Sequence, residues 1–220
     1  MILPSTFDFL KGVAENNDRD WFKLHKKEYE DSLKNILEFT SEIIKSLSKI
    51  DPVIPDTLEA KNCVMRIYRD VRFSKNKAPY KTNFGIAISA NGKNFNGPGY
   101  YVHVQPSTCF IAGGSWFPEA EQLKAIRQEI DYNSSDWHEI IDNKDFKSAF
   151  GDLETEGKLQ TSPKGYAPTH PDIEYLKLKS FTAVAKLSDG DLSSAESVKI
   201  VSGLFEKLYP FNVFLRNAIS

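Results

Sequence analysis

Apolar positions recur at three- and four-residue steps through the first fifty residues, and this spacing predicts helices. Phe7, Leu10, Val13 and Ala14 make a first stripe that Ser5 or Thr6 can cap and that ends near Asn16-Asn17. Asp18 caps a second helix over 19–50, whose stripe runs Trp21, Phe22, Tyr29, Leu33, Ile36, Leu37, Thr40, Ile43, Ile44 and Leu47. At 1.5 Å per residue it would be about 45–50 Å long, so a break is expected within it. His25 near its start reads as a solvated or capping residue. Pro52 and Pro55 end the helix.

The period then changes to two. Residues 64–73 alternate, with Met65, Ile67, Val71 and Phe73 on a core face interrupted by Arg69. Val64, Arg66, Tyr68, Asp70 and Arg72 fall on the other face. Residues 74–82 read as a loop held irregular by Ala78-Pro79. Residues 83–90 form a second strand with Phe84, Ile86 and Ile88 inward and the small Gly85, Ala87 and Ser89 outward. Small residues there allow either close helix packing or space for a ligand. Residues 100–105 and 109–115 are the third and fourth strands, and the third carries Tyr101, His103 and Gln105 on its outer face. The short connections imply antiparallel pairing. A register slip or a bulge at Arg69 would exchange the faces.

Further helices are predicted over 119–131 and after Asn133-Ser134-Ser135, with His138 exposed on the latter, and 145–150 adds a short turn. Residues 153–171, with Tyr166 and His170, are irregular and read either as a functional lid or as packing across the sheet. Residues 181–187 are a candidate fifth strand. Ser193-Ser194 caps a last long helix that Pro210 should break, leaving a separate helix over 211–219. The pattern gives one α+β domain over 1–220. Its antiparallel sheet has four or more strands from about 63–115, packed on one face by long helices from the N- and C-terminal parts.

Composition narrows the function classes. Forty per cent hydrophobic and 12% aromatic residues suffice for a real core and exclude disorder. A net charge of −2 argues against a dedicated duplex-DNA binder. Cys63 and Cys109 form no C-x-x-C and read as buried thiols of a reducing compartment. No basic-then-apolar leader is visible at the N-terminus, and no apolar run approaches membrane-spanning length. A cytoplasmic protein without membrane attachment is expected.

One stretch breaks the charge balance. Between Arg66 and Lys81 stand Arg66, Arg69, Arg72, Lys75, Lys77 and Lys81 against Asp70 alone, a local charge of +5 that leaves −7 on the remainder. Arg and Lys bind phosphate and carboxylate, Arg through a planar fork and Lys as a point charge. A charge run is also the ordinary form of a solvated face, and Asp70 can simply pair with Arg69 or Arg72.

The text Arg66-Ile-Tyr-Arg-Asp-Val-Arg-Phe-Ser-Lys75, followed by Lys77-Ala-Pro-Tyr-Lys-Thr82, Tyr100-Tyr-Val-His103 and Gly113-Gly114, resembles the DUF2461 family of uncharacterised, mainly bacterial proteins. Phe9-Leu10, Asn16-Asn17 and Trp21-Phe22 near the start also fit, as do Pro163, Gly165-Tyr166, Pro210-Phe211 and Phe214-Leu215 near the end. The resemblance spans nearly the whole chain and implies neither a reaction nor catalytic residues.

Three readings follow. In the first, a phosphorylated or acidic small ligand is held by Arg66, Arg69, Arg72, Lys75, Lys77 and Lys81. Tyr68, Tyr80 and Tyr101 orient it, His103 is the general acid–base, and Asp70 fixes an Arg or the His tautomer. In the second, the basic loop is a non-catalytic module for single-stranded nucleic acid or an acidic protein partner. In the third, the domain is purely structural and the arginines meet its own carboxylates. No metal-ligand spacing, phosphate loop or dinucleotide fingerprint occurs, so neither metal nor cofactor is expected.

Overall fold

The computed structural model describes residues Met1–Ser220. Two compact units divide the chain. The first is Met1–Asn94, Tyr101–Ile111 and Lys186–Gly203, and the second is Phe95–Tyr100, Ala112–Ala185 and Leu204–Ser220.

The N-terminal helices form where the apolar stripes place them. Helix α1 is Pro4–Glu15, α2 is Arg19–Leu24 and α3 is Lys26–Ile50. Pro4 occupies the first turn of α1, so Ser5 and Thr6 lie inside the helix rather than capping it. Asp18 does cap α2, accepting from the backbone N–H groups of Asp20 and Trp21. The expected break falls at His25. Its Nδ1 lies 2.8 Å from the Trp21 carbonyl and its ring stacks on the Trp21 indole, centroids 3.9 Å apart. A carbonyl only accepts, so Nδ1 carries the proton and the side chain caps the end of α2. On α3, Ile36, Phe39, Ile43, Ile44 and Leu47 are buried, and α3 packs against α1. Buried Asn35 interrupts the stripe for a reason: its Oδ1 accepts from Leu3 N–H and Thr6 Oγ1, and its Nδ2 donates to the Met1 carbonyl.

The sheet has four antiparallel strands in the order β1 (Phe84–Ile88), β2 (Gly99–Val104), β3 (Cys109–Ser115), β4 (Phe181–Leu187). The candidate strand 181–187 therefore joins it. The stretch 64–73 does not form the expected strand. It makes two isolated antiparallel bridges, Val64 to Ile86 and Tyr68 to Tyr80. Four positions separate the bridges on one side (64 to 68) and six on the other (80 to 86), so a bulge lies between Tyr80 and Ile86 rather than at Arg69. Alternation is lost on the 64–68 side as well: Val64 and Ile67, three positions apart, are both buried, and Met65 lies against Gly85.

In the second unit, α4 (Ala120–Tyr132), α5 (Ser134–Ile141), α6 (Lys144–Phe150) and α7 (Ile173–Leu176) precede β4. Trp137 on α5 is fully buried among Phe181, Phe211 and Phe214. After the short α8 (Asp189–Ser193), α9 runs unbroken over Ser197–Ala218 with Pro210 inside it, which corrects the expected break. Pro210 is exposed, as is Glu206 one turn earlier, whose carbonyl loses its ladder partner. Water can satisfy that carbonyl, and the buried Leu208 and Phe211 on the opposite face hold the helix together.

No helix is long and apolar enough to cross a membrane.

Candidate functional site: a basic hairpin and the Tyr101–His103–Gln105 line

The cationic stretch folds as a hairpin. Lys81 N–H donates to the Ile67 carbonyl at 2.8 Å and Arg69 N–H to the Pro79 carbonyl at 2.9 Å. This stem sits on the turn between α1 and α2. Asn17 grips the backbone of Tyr80 at both groups, Nδ2 donating to the carbonyl at 3.0 Å and Oδ1 accepting the N–H at 3.1 Å. The Phe22 ring stacks on Tyr80 with centroids 3.9 Å apart and 9° between planes. Tyr68 packs beside both rings, 5.6 Å from Tyr80 and 5.9 Å from Phe22, and is 48% exposed. The pattern of residues 66–81 alone gave no sign that Asn17 and Phe22 carry this hairpin.

Beyond the stem, residues 70–78 form a loop closed by its own cations. Arg69 Nη1 donates to the Ala78 carbonyl at 3.0 Å. Lys77 Nζ donates to the Val71 carbonyl at 3.0 Å, and Ala78 N–H to Asn76 Oδ1 at 2.9 Å. Asp70 is forked by Arg72, Nη2 to Oδ2 at 2.7 Å and Nε to Oδ1 at 3.0 Å. That fork, chiefly, holds the Asp70 carboxyl below its ordinary range, with Arg66 adding to it. Asp70 therefore fixes Arg72, not the tautomer of His103. Arg66, Arg69, Lys75, Lys77 and Lys81 form no ion pair with any carboxylate of the chain; the hairpin's one pair is Arg72 with Asp70. Burial, with Arg66 close by, pushes the Lys81 ammonium below its usual pKa. Phe73 at the loop tip is 94% exposed and lies under the Arg72 guanidinium at 5.8 Å.

His103 belongs to a different line of contacts. Tyr101 Oη and His103 Nδ1 are 3.0 Å apart, and His103 Nε2 and Gln105 Oε1 are also 3.0 Å apart. The amide oxygen accepts, so Nε2 carries the proton and Nδ1 accepts from the tyrosine. The imidazole stacks on Phe110 at 4.5 Å and 12°. Burial lowers the His103 pKa, partly offset by the Gln105 hydrogen bond, and burial pushes Tyr101 up to about 12. The small position Gly85 makes room for protein: a Cβ there would lie 2.8 Å from Tyr101 Oη and 3.1 Å from Met65 Sδ. The side chains in contact with His103 are Tyr101, Gln105, Asn83 and Phe110, and none is a hairpin cation. Two grooves, of about 270 Å³ beside Met1 and Phe39 and about 510 Å³ beside Lys158 and Glu174, include none of these residues.

The second unit holds a carboxylate–histidine cluster that sequence spacing does not reveal. His138, expected to be merely exposed, bridges Asp142 (Nδ1 to Oδ2, 2.7 Å) and the buried Asp172 (Nε2 to Oδ1, 2.6 Å). Ser134 donates to Asp172, and Lys147 pairs with Asp142. The irregular stretch 153–171 is pinned at its end by His170, whose Nε2 lies 2.9 Å from Asp131 of α4. No three His, Cys, Asp or Glu side chains converge as a metal-ligand set. The hydrogen bonds to Asp142 and then Asp172 raise the His138 pKa above the ordinary imidazole range. A raised folded-state pKa contributes stability that is full below the unfolded pKa and disappears as pH rises through the folded one. Wild type should therefore exceed His138→Gln in unfolding free energy by more at pH 6 than at pH 8.5, as read by urea denaturation. A gap that is constant or grows with pH would contradict this.

A family model described as "Conserved hypothetical protein (DUF2461)" matches residues 5–214. No curated protein and no solved structure matches.

Proposed function

The chain belongs to the DUF2461 family, and from its basic hairpin we propose that it is an anion-binding protein whose ligand carries phosphate or carboxylate groups. The observation that carries this reading is the missing counter-charge. Of six cations between Arg66 and Lys81, only Arg72 is paired to a carboxylate, in a chain whose remaining residues carry −7. Acidic side chains are plentiful elsewhere and pair readily with lysines along the helices, as Lys27 does with Asp31. The hairpin is also tied down, by Asn17 and Phe22 at Tyr80 of the stem and by Arg69 at the Ala78 carbonyl. A fixed array loses less freedom on binding than a flexible one.

Binding suits this geometry better than turnover. Both nitrogens of His103 are engaged by Tyr101 and Gln105, and Asp70 is taken by Arg72. An acid–base role for His103 would need a substrate to displace one of those partners. The test is calorimetric titration with inorganic polyphosphate at low ionic strength. Wild type should bind with salt-sensitive affinity, and a Lys75→Gln, Lys77→Gln, Lys81→Gln variant should bind about tenfold more weakly or worse. No binding by wild type, or equal binding by the variant, would sink the proposal.

A further inference from the structure

Resting on that anion-binding reading, we infer that the ligand of the hairpin is a single-stranded nucleic acid, its phosphates on the cations and its bases on Tyr68 and Phe73. A simple phosphate or carboxylate needs only the cations. It leaves unexplained why the most cationic loop of the chain ends in a phenylalanine that is 94% exposed. Phe73 and Tyr68, 94% and 48% exposed, stand among these cations and offer aromatic faces that a simple anion would not use.

The two rings are presented differently, and both suit stacking. Tyr68 stands on a fixed platform, Tyr80 over Phe22, with about half of its own surface open. Phe73 lies beneath the Arg72 guanidinium, which is itself steered by Asp70. Arg66, Lys75 and Lys77 are exposed alongside them. Cations that track a backbone beside aromatic faces that accept any base are the two components of sequence-tolerant single-strand binding.

An anionic bilayer fits less well. Membrane-surface binding draws on a broad apolar face, and this hairpin exposes one phenylalanine and half a tyrosine. A planar anionic surface would also confront the rest of a chain carrying −7, whereas a thin flexible strand can touch the hairpin alone. Duplex DNA would hide the bases from the rings.

The experiment compares three probes by fluorescence anisotropy or co-sedimentation: labelled oligothymidylate, inorganic polyphosphate, and phosphatidylserine-containing vesicles. Wild type should prefer the oligonucleotide, with log K falling against log salt at a slope of about −2 to −3, as for three or four phosphates on a single strand. Phe73→Ala should lower the ratio of oligonucleotide to polyphosphate affinity at least about fivefold. Its exposure means the substitution cannot act through the core. Tyr68→Ala should do the same, with circular dichroism confirming the fold. Lys45→Gln on the exposed face of α3 should change neither affinity. Polyphosphate bound as tightly as oligonucleotide, with Phe73→Ala indifferent, would overturn the nucleic-acid inference while leaving the anion reading intact. Preference for vesicles would overturn it in favour of a lipid surface. Failure to bind any probe would overturn both.

Discussion

Replacing Gly114 by Ala should destabilise the protein by about 4 kcal/mol or more, at the upper end of single-residue effects. Gly114 lies in β3 with φ +110°, a backbone conformation that L side chains rarely adopt. A Cβ there would strike the Phe181 carbonyl oxygen of β4 and lie 2.8 Å from the Phe211 ring. The ring could shift. The carbonyl could not, because it belongs to the backbone of the neighbouring strand, so the two strands would have to part. For a chain of this size the expected fall in melting temperature is about 10 °C. Gly203→Ala is the matching control with the opposite sign. It sits in α9 with nothing within 4 Å of the added carbon, and glycine in a helix interior costs about 0.5–1 kcal/mol relative to alanine. Thermal and urea unfolding of the two variants should bracket wild type. A Gly114→Ala protein within about 1 kcal/mol of wild type would refute the close-approach reading.

Gly113-Gly114 also shows what the sequence could and could not disclose. The pair was legible as belonging to the fourth strand. Its reason, two strand backbones and the Leu208 side chain crowding one place, involves partners far along the chain. The same limit recurs elsewhere. Amphipathic helices were readable because their period is local, and helix length alone suggested a break without placing it at His25. The stretch 64–73 was misread because alternation does not distinguish a continuous strand from two bridges separated by a bulge. The inserted residues stand on the opposite side of the hairpin, between 80 and 86. Pro210 was misread because proline propensity is a local rule. Here the buried face around Leu208 and Phe211 outweighs one missing hydrogen bond on the wet side.

The candidate site was legible in composition and not in geometry. The excess of cations over carboxylates is countable in the sequence, and the structure leaves it uncompensated. His103 itself is in contact with Tyr101, Gln105 and Phe110, and Tyr101 and Met65 lie against Gly85, partners that counting charges along the chain does not disclose. Residues without charge decide where the hairpin stands, and the first of them is sixty-three positions from its contact.

That contact supplies the second large effect: Asn17→Ala should loosen the whole hairpin. In the bridge between Tyr68 and Tyr80, the stem hydrogen bonds belong to the flanking residues, Arg69 to Pro79 and Lys81 to Ile67. The N–H and C=O of Tyr80 are thus held instead by the Asn17 amide, which imitates a neighbouring strand with one donor and one acceptor. Alanine leaves both backbone groups of Tyr80, which is only 7% exposed, unmatched, at a cost to the closed hairpin of about 2 kcal/mol. Asn17→Asp should be little better, because a carboxylate can accept the Tyr80 N–H but cannot donate to its carbonyl. The loss should be local. Amide exchange at Tyr80 and Lys81 should accelerate by tenfold or more, about 1.4 kcal/mol of lost protection, while Ile126 and Ile130 on α4 keep theirs. Polyphosphate affinity should fall with it, since cations on a loosened hairpin must be ordered before they can bind. Unchanged protection at Tyr80 would mean that the Phe22 stack alone holds the stem, and that Asn17 is a passenger.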